Sequence, residues 1–323
     1  MSVAVTGGSG VVGRAVVGHL VAGGEEVWAL ARTSESFETL SALGARVVTG
    51  DLFDDDSIAR LVKGRSRVYH IAGVNELCSR DPEQMWSVNV EGTKRVVEAC
   101  IHAGVSRVVH TSSSVTIGES KGEVGSESSL HRGHFLSEYE RSKTVAERLV
   151  VDSANDIEIV SVNPSSVQGP GRSTGTAAIF LAIARGDLPF LVDTTVSLVD
   201  IDDCARGHLL AADRGESGQR YLLSGPVLSV RDAVVMLSRR VGHRRSPRFV
   251  RSSLVNALAP IVDAGFGLFG KQSPLCAESA RVLLHGHRYD GSRATRELGL
   301  EYTALEDTLD RTISWFEIEG LLR

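Results

Sequence analysis

The feature that most constrains the fold of this chain is a regular alternation of short strand-like runs with helical patterns through its first half. The series begins at Val3-Ala4-Val5 and continues to about Pro164, after which the rhythm changes and helical patterns dominate. Alternation at this spacing predicts a doubly wound parallel sheet with helices on both faces and right-handed crossovers. The chain should therefore be an α/β protein with a smaller mixed, mostly helical C-terminal lobe.

Domain limits follow from the same change of rhythm. The pattern predicts two long helices in the sheet domain, from about Pro82 to Ala103 and from about Leu136 to Ala154. Uninterrupted apolar runs such as Val108-Val109 indicate strands buried on both faces. The expected limits are 1–167 for the sheet domain, with later strand contributions near 196–223, and 168–195 and 224–323 for the second lobe.

Composition excludes several classes of protein. The chain has 323 residues, of which 35 are basic and 40 acidic, giving a formal net charge of −5. A hydrophobic share of 42% with 23% charged residues is typical of a soluble globular protein, which argues against a disordered chain, a fibrous repeat or a multi-span membrane protein. The mild acidity argues against nucleic acid as a partner. No signal peptide is expected, because the N-terminus lacks a charged region followed by a long apolar one.

The four cysteines, Cys78, Cys100, Cys204 and Cys276, are scattered along the chain. No two of them form a C-x-x-C pair, so neither a zinc site nor a redox dithiol is indicated, and no metal site is predicted. In a chain of this size the pattern predicts reduced, mostly buried thiols and a cytoplasmic protein.

An apolar stretch at residues 254–270 leaves two interpretations open. Asn256, Pro260 and Asp263 interrupt it, and it is shorter than a typical membrane-spanning helix. Several arginines precede it between residues 239 and 251, so it is either a surface that rests on a membrane or a helix that covers a hydrophobic pocket. We favour the pocket cover, since nothing else in the composition supports a membrane partner.

A glycine-rich loop at residues 6–13 follows the first strand and opens the first helix. Its spacing fits both G-x-G-x-x-G and T-G-x-x-G-x-x-G. In this context glycines let the backbone approach phosphates, and the helix N-terminus offers unpaired N–H groups. The loop is therefore predicted to bind a dinucleotide, against the alternative of an ordinary glycine-rich turn. The cofactor-binding residues predicted here are Thr6, Gly7, Gly10, Val11, Val12 and Gly13.

The next two strands should contact the adenosine end of the cofactor. Arg32 ends the second strand, where NAD-specific folds carry an acidic residue. A guanidinium suits a 2′-phosphate, so NADP(H) is favoured and NAD(H) is the alternative. Asp51 and Leu52 follow the third strand, where a carboxylate can accept a hydrogen bond from the adenine amino group. Arg32 as a solvated loop residue and Asp51 as a helix N-cap are the competing interpretations.

A candidate acid-base pair lies on the helix predicted from Leu136. Tyr139 and Lys143 are four residues apart, so both side chains lie on one helical face. A nearby ammonium lowers the pKa of a phenol, which makes the pair a sensible general acid and base. Ser113 and Ser114 follow the fifth strand, and the carboxyl ends of parallel strands face the ligand crevice. A serine there can donate to a substrate oxygen.

Together these motifs resemble the extended short-chain dehydrogenase/reductase family, which is NAD-dependent epimerase/dehydratase-like and has a Rossmann-type sheet. Within it the chain is most similar to the dihydroflavonol 4-reductase-like and 3β-hydroxysteroid dehydrogenase-like branch. That branch is suggested by Arg32, by residues 254–270 and by residues 286–290. Further matches extend along nearly the whole chain: His70-Ile71-Ala72-Gly73, Asn89-Val90-Glu91-Gly92-Thr93, Asn163-Pro164-Ser165-Ser166-Val167 and Val199-Asp200-Ile201-Asp202-Asp203.

The resemblance implies a role for each matching residue. Ser113 would hold the substrate oxygen, with Ser114 as the fallback, and Tyr139 would transfer the proton. Lys143 would shift the tyrosine pKa and, with Tyr139, bind the nicotinamide ribose, while Asn89 would help organise the site. Gln168 departs from the family pattern, which often has tyrosine there. The other residues implied to contact the cofactor are Ala72, Pro164, Ser166 and Val167.

The activity implied is an NADP(H)-dependent interconversion of a ketone and a secondary alcohol by hydride transfer. The apolar stretch at 254–270 suggests a small, apolar or ring-containing carbonyl or alcohol substrate. A sugar-nucleotide epimerase that uses NAD and a non-catalytic dinucleotide-binding regulator are the alternatives. His131 and His134 are either substrate ligands or solvated loop residues. The resemblance also implies a homodimer formed through the two long helices.

Overall fold

The computed structural model describes residues 1–242, 247–250, 255 and 276–322. Its strands are β1 (Ser2–Thr6), β2 (Glu26–Ala31), β3 (Arg46–Thr49), β4 (Arg67–His70), β5 (Arg107–Thr111), β6 (Glu158–Pro164), β7 (Ser166–Gln168), β8 (Phe190–Val192), β9 (Thr195–Asp200), β10 (Arg220–Leu223), β11 (Val227–Ser229) and β12 (Arg248–Val250). Its helices are α1 (Val11–Ala22), α2 (Ser34–Ala42), α3 (Asp55–Val62), α4 (Pro82–Trp86), α5 (Gly92–Ala103), α6 (Glu138–Asp152), α7 (Thr176–Arg185), α8 (Ile201–Arg214), α9 (Val230–Val241), α10 (Ala277–His285) and α11 (Leu305–Ile318).

The central sheet confirms the predicted fold class. Seven strands lie in the order β10-β6-β5-β4-β1-β2-β3, and each neighbouring pair is parallel. The registers pair Thr6 with His70 and His70 with His110, so the carboxyl ends of β1, β4 and β5 lie side by side. Residues that follow these strands therefore share one edge of the sheet, where ligands bind in open α/β folds.

Helices cover both faces of this sheet. Val109 packs in the cluster that includes α1 and α8, whereas Val108 packs in the cluster that includes α3 and α5. Both valines are fully buried, which confirms that β5 is covered on both faces. Burial of a side chain of this size contributes about 1.5–3 kcal/mol, so the alternation of faces along each strand holds the two helical layers on the sheet.

The rest of the described chain forms a second group of elements. A three-stranded sheet has the order β11-β9-β7, and β12 pairs with β8. Helices α7, α9 and α11 pack on it through buried apolar side chains that include Phe180, Leu237 and Phe316. Asp200 joins this group to α8, because it caps α8 by accepting from the Asp202 amide and also pairs with Arg311.

The long helix predicted from Pro82 to Ala103 is interrupted. A π-helical turn, Ser87–Glu91, separates α4 from α5. Such turns insert an extra residue and often lie at functional sites. Here the turn carries Asn89, and its geometry could not be read from the hydrophobic spacing.

Among the described helices, none is long and apolar enough to cross a membrane. The stretch at 254–270, apart from Val255, lies outside the described residues, so neither interpretation of it is tested.

Candidate functional site

The glycine loop forms a close-fitting turn between β1 and α1. Gly7 has a φ of +70°, and a Cβ on it would lie 2.4 Å from the Ala72 amide nitrogen. A Cβ on Gly13 would lie 2.1 Å from the Gly7 carbonyl oxygen. Glycine is therefore required at both positions. The amides of Val11, Val12 and Gly13 lie in the first turn of α1. They have no acceptor within the helix, because the N–H groups of the first turn of an α-helix make no intrahelical hydrogen bond. A backbone cradle of this kind fits the pyrophosphate of a dinucleotide.

The Thr6 side chain supports the glycine loop through its contacts with other residues of the protein. Its hydroxyl lies 2.7 Å from Nδ1 of His70 and accepts from the Ala72 amide at 3.4 Å. His70 is fully buried and its Nε2 lies 2.9 Å from the Thr93 hydroxyl. These contacts fix the end of β1 against the end of β4, directly below the glycine loop.

Arg32 and Asp51 lie together where the adenosine end of a dinucleotide was predicted. The Arg32 side chain is 71% exposed and its Nη1 lies 4.0 Å from Oδ2 of Asp51. Asp51 accepts from the Phe53 amide at 3.0 Å, which forms a local turn. The N-cap of α3 is Asp54, so the interpretation of Asp51 as that N-cap is wrong. Leu52 is buried and packs against the α3–α5 layer.

Asn89 fastens the loop after β4 to α6. Its Oδ1 accepts from the Val74 amide at 2.8 Å, and its Nδ2 donates to the Val74 carbonyl at 3.0 Å and to the Ser142 hydroxyl at 2.9 Å. The side chain is fully buried. Asn89 therefore holds the segment after Ala72 beside the helix that carries Tyr139.

Ser113 and Tyr139 meet at the carboxyl edge of the sheet. Burial raises the pKa of Tyr139 above its ordinary value, and a side-chain hydrogen bond with Ser113 offsets part of that rise. Ser114 makes its hydrogen bond to Tyr289 instead. Of the two serines that the sequence left open, Ser113 is therefore the one that contacts the tyrosine.

Lys143 lies one helical turn beyond Tyr139 and is buried. Its Nζ donates to the Thr111 carbonyl at 2.7 Å, and burial lowers its pKa to about 8. The positive charge of Arg172 offsets part of the rise in the Tyr139 pKa. The predicted effect of Lys143 on that pKa stays a prediction.

A buried polar network supports Ser113 from below. Its carbonyl accepts from Nδ2 of Asn163 at 3.2 Å and from the Thr116 hydroxyl at 2.8 Å. Glu147 lies beneath both and accepts from Asn163, while Arg220 donates to it at 3.1 Å. This network fixes the backbone of Ser113 relative to α6. It also pairs the buried carboxylate of Glu147, which would cost several kcal/mol if it were left unpaired.

The remaining residues implied to contact the cofactor border the same edge. Ala72 lies against Gly7, and Pro164 ends β6 with its side chain buried. Val167 is buried in the sheet core, and Ser166 accepts from Nε2 of Gln168 at 3.1 Å.

The histidines before α6 differ in their surroundings. His131 turns inward, with its Nε2 at 3.5 Å from Oε1 of Glu140, whereas His134 is exposed. Neither contacts Ser113 or Tyr139 through a described hydrogen bond.

The cysteines correct one prediction. Cys78, in the loop after β4, forms a disulfide with Cys276, with a Cα–Cα distance of 6.2 Å. Only Cys100 and Cys204 match the predicted buried thiols. Glu278 reinforces the link, because it accepts from the amides of Cys78 and Glu138, each at 2.8 Å. A pairing across 198 residues leaves no local signal in the sequence.

Sequence reasoning missed three contributors to this site. Arg172 follows the glycine turn at 169–171, and that turn was a usable signal. Asn163 was noted only as part of a motif. Glu147 lies one turn beyond Lys143 on the inner face of α6, so its helical spacing was the available signal.

The chain is similar to known proteins along its whole length. The model of the NAD dependent epimerase/dehydratase family matches residues 3–224. A putative dihydroflavonol 4-reductase of Synechocystis is 31% identical over 99% of this chain and 95% of its own length. Sterol demethylase protein B of Methylococcus capsulatus is 30% identical over the full length of both chains. The crystal structure of gox2253 superposes with a TM-score of 0.88 at 29% identity, covering 100% of this chain and 99% of that one.

Proposed function

The chain belongs to the NAD dependent epimerase/dehydratase family, and we propose that within this family it is an NADP(H)-dependent oxidoreductase that interconverts a ketone and a secondary alcohol. The observation that carries the proposal is the buried Ser113–Tyr139 hydrogen bond beside Lys143, next to a glycine loop that excludes side chains. The nicotinamide coenzyme, when bound, supplies or accepts the hydride.

Each residue then has a defined task. The Ser113 hydroxyl donates to the substrate oxygen and holds it near Tyr139. The Tyr139 hydroxyl gives its proton to that oxygen in reduction and takes it back in oxidation. Lys143 and Asn89 position α6 and the loop after Ala72, and the first turn of α1 binds the pyrophosphate. The sheet part, 1–167 with the later contributions near 196–223, would bind the coenzyme, and 168–195 with 224–323 would bind the substrate.

We propose a small, apolar, ring-containing substrate. The names of the two relatives, a dihydroflavonol reductase and a sterol demethylase component, support this class. The test is a panel of ring ketones, secondary alcohols and UDP-sugars, followed at the nicotinamide absorbance band with both coenzymes. We expect turnover of an apolar ring ketone with NADPH. Conversion of a UDP-sugar to its epimer without net absorbance change would contradict the proposal, because epimerases regenerate their coenzyme.

The preference for NADP(H) rests on Arg32. Among the described residues, its exposed guanidinium has only the long contact to Asp51, which a 2′-phosphate would replace. We expect Arg32→Asp to raise the KM for NADPH about 10- to 100-fold, the effect of one lost charge-assisted hydrogen bond, and to leave that for NADH within about threefold. Arg46→Asp is the matched control, because Arg46 is similarly exposed at 64% but lies at the amino end of β3. Equal losses for both coenzymes would contradict the preference.

Arg172 should set the pH dependence of the reaction. Its charge lowers the pKa of Tyr139, so Arg172→Leu should raise that pKa. Alcohol oxidation requires the phenolate, and its kcat/KM profile should therefore move to higher pH. Arg172→Lys keeps the charge and should keep the profile near that of the wild type. Coincident profiles for wild type and Arg172→Leu would show that the guanidinium does not act on the tyrosine.

Two further proposals concern assembly and compartment. We propose a homodimer through α5 and α6, which light scattering of the purified protein tests. We also propose a cytoplasmic location. Fractionation of the cells that make the protein, with antibody detection of the chain, tests it.

A further inference from the structure

Three side chains of the kinds that bind metal ions lie close together near the Ser113–Tyr139 site. We call this group the Glu119 cluster; its members are Glu119, His285 and His287. Nδ1 of His287 lies 2.7 Å from Oε1 of Glu119, and Nε2 of His285 lies 3.3 Å from the same oxygen. One ligand atom from each residue falls within 4.8 Å of the other two. The two imidazole centroids are 4.7 Å apart.

The cluster is buried but its polar atoms are incompletely paired. Glu119 is 1% exposed and His285 is 8% exposed. Among the described residues, Oε2 of Glu119 and Nε2 of His287 are buried without a hydrogen-bond partner, and Nε2 of His285 has only the 3.3 Å contact with Oε1 of Glu119. Native proteins pair almost all such atoms with protein, ordered water or an ion. These incompletely paired atoms on three neighbouring residues therefore indicate a ligand that accepts lone pairs.

We propose that Glu119, His285 and His287 bind one divalent transition-metal ion of the zinc class. Two imidazole nitrogens and one carboxylate oxygen form the donor set that zinc commonly takes, with a water completing the coordination. The proposal revises the expectation of no metal site, which considered cysteine spacing alone. It is independent of the proposed reaction, since none of the three residues contacts the hydroxyl of Ser113 or Tyr139 through a described hydrogen bond.

The position of the cluster gives the ion a structural task. The Gly125 amide donates to the Arg288 carbonyl at 2.8 Å, and the Asp290 amide donates to the Gly125 carbonyl at 2.9 Å. Tyr289 hydrogen-bonds Ser114, and its hydroxyl lies 2.9 Å from Nδ1 of His287. An ion here would clamp the segment after α10 to the loop that follows the catalytic serine.

The test uses the full chain after dialysis against a chelator. Titration with zinc sulfate should give one site with a Kd below about 1 µM and a raised melting temperature. Cobalt chloride should produce the visible absorption of a four-coordinate N/O site without a sulfur charge-transfer band. Such a band would show that the metal binds thiolates, as at a reduced Cys78–Cys276 pair beside Glu278, and would overturn the proposal.

Variants identify the ligands. His285→Asn and Glu119→Gln should each weaken zinc binding more than about 100-fold, whereas His134→Asn, at an exposed histidine, should not change it. Circular dichroism checks that each variant is folded. If the wild-type chain binds no zinc, the unpaired atoms are satisfied by water and the proposal is wrong. Unchanged zinc affinity in folded His285→Asn and Glu119→Gln would equally overturn it.

Discussion

Replacing Tyr139 by phenylalanine is expected to lower kcat for ketone reduction by about 10²- to 10⁴-fold, the range for loss of a positioned proton donor. The phenol is buried and hydrogen-bonded to Ser113, so no bulk water occupies an equivalent position when the hydroxyl is removed. Coenzyme affinity should remain within about twofold, because the aromatic ring still fills its place on α6. Single-turnover kinetics and a fluorescence titration with NADPH measure the two quantities.

Tyr221→Phe is the matched control for this substitution. Tyr221 is also buried, but its hydroxyl accepts from the Glu216 amide at 3.1 Å, away from the Ser113–Tyr139 site. Deleting it should cost about 1 kcal/mol of stability and leave kcat unchanged. Full activity of Tyr139→Phe, or equal losses in both variants, would show that the phenol of Tyr139 does not transfer the proton.

The fold was accessible from the sequence because its signals are local. Runs such as Val108-Val109 bury both faces of a strand, and the short helices between strands have clear apolar stripes. The glycine loop was equally readable, since Gly7 and Gly13 are required by contacts within a few residues or across one strand pair. The positions of Tyr139 and Lys143 followed from helical spacing alone.

What the sequence did not disclose depends on contacts distant along the chain. The Cys78–Cys276 disulfide and the Glu119–His287 contact join segments separated by 198 and 168 residues. The contact of Lys143 with the Thr111 carbonyl depends on how α6 lies against β5. The π-helical turn at Asn89 is set by its side-chain bonds to Val74 and Ser142. Periodicity contains no information on any of these.

Among glycine-to-alanine substitutions, Gly13→Ala should weaken coenzyme binding most. The new Cβ would lie 2.1 Å from the Gly7 carbonyl oxygen and 2.7 Å from the Gly8 Cα, both backbone atoms. Gly7 cannot move away from the added methyl group, because the Ala72 backbone lies directly beside it: a Cβ on Gly7 would be 2.4 Å from the Ala72 amide nitrogen. We therefore expect NADPH affinity to fall more than about 100-fold, which corresponds to about 2.7 kcal/mol, and stability to fall by about 1–3 kcal/mol.

Two other glycines of the same region make this loss interpretable. At Gly18, inside α1, a Cβ meets nothing within 4 Å, so Gly18→Ala should raise stability by about 0.5–1 kcal/mol and keep affinity unchanged. At Gly10 the nearest atom is 3.4 Å away, so Gly10→Ala should give a smaller loss than Gly13→Ala. Calorimetric titration with NADPH and thermal unfolding measure the series. Wild-type affinity in a folded Gly13→Ala protein would mean that the coenzyme does not lie on the first turn of α1, because that turn cannot keep its shape around the added methyl group.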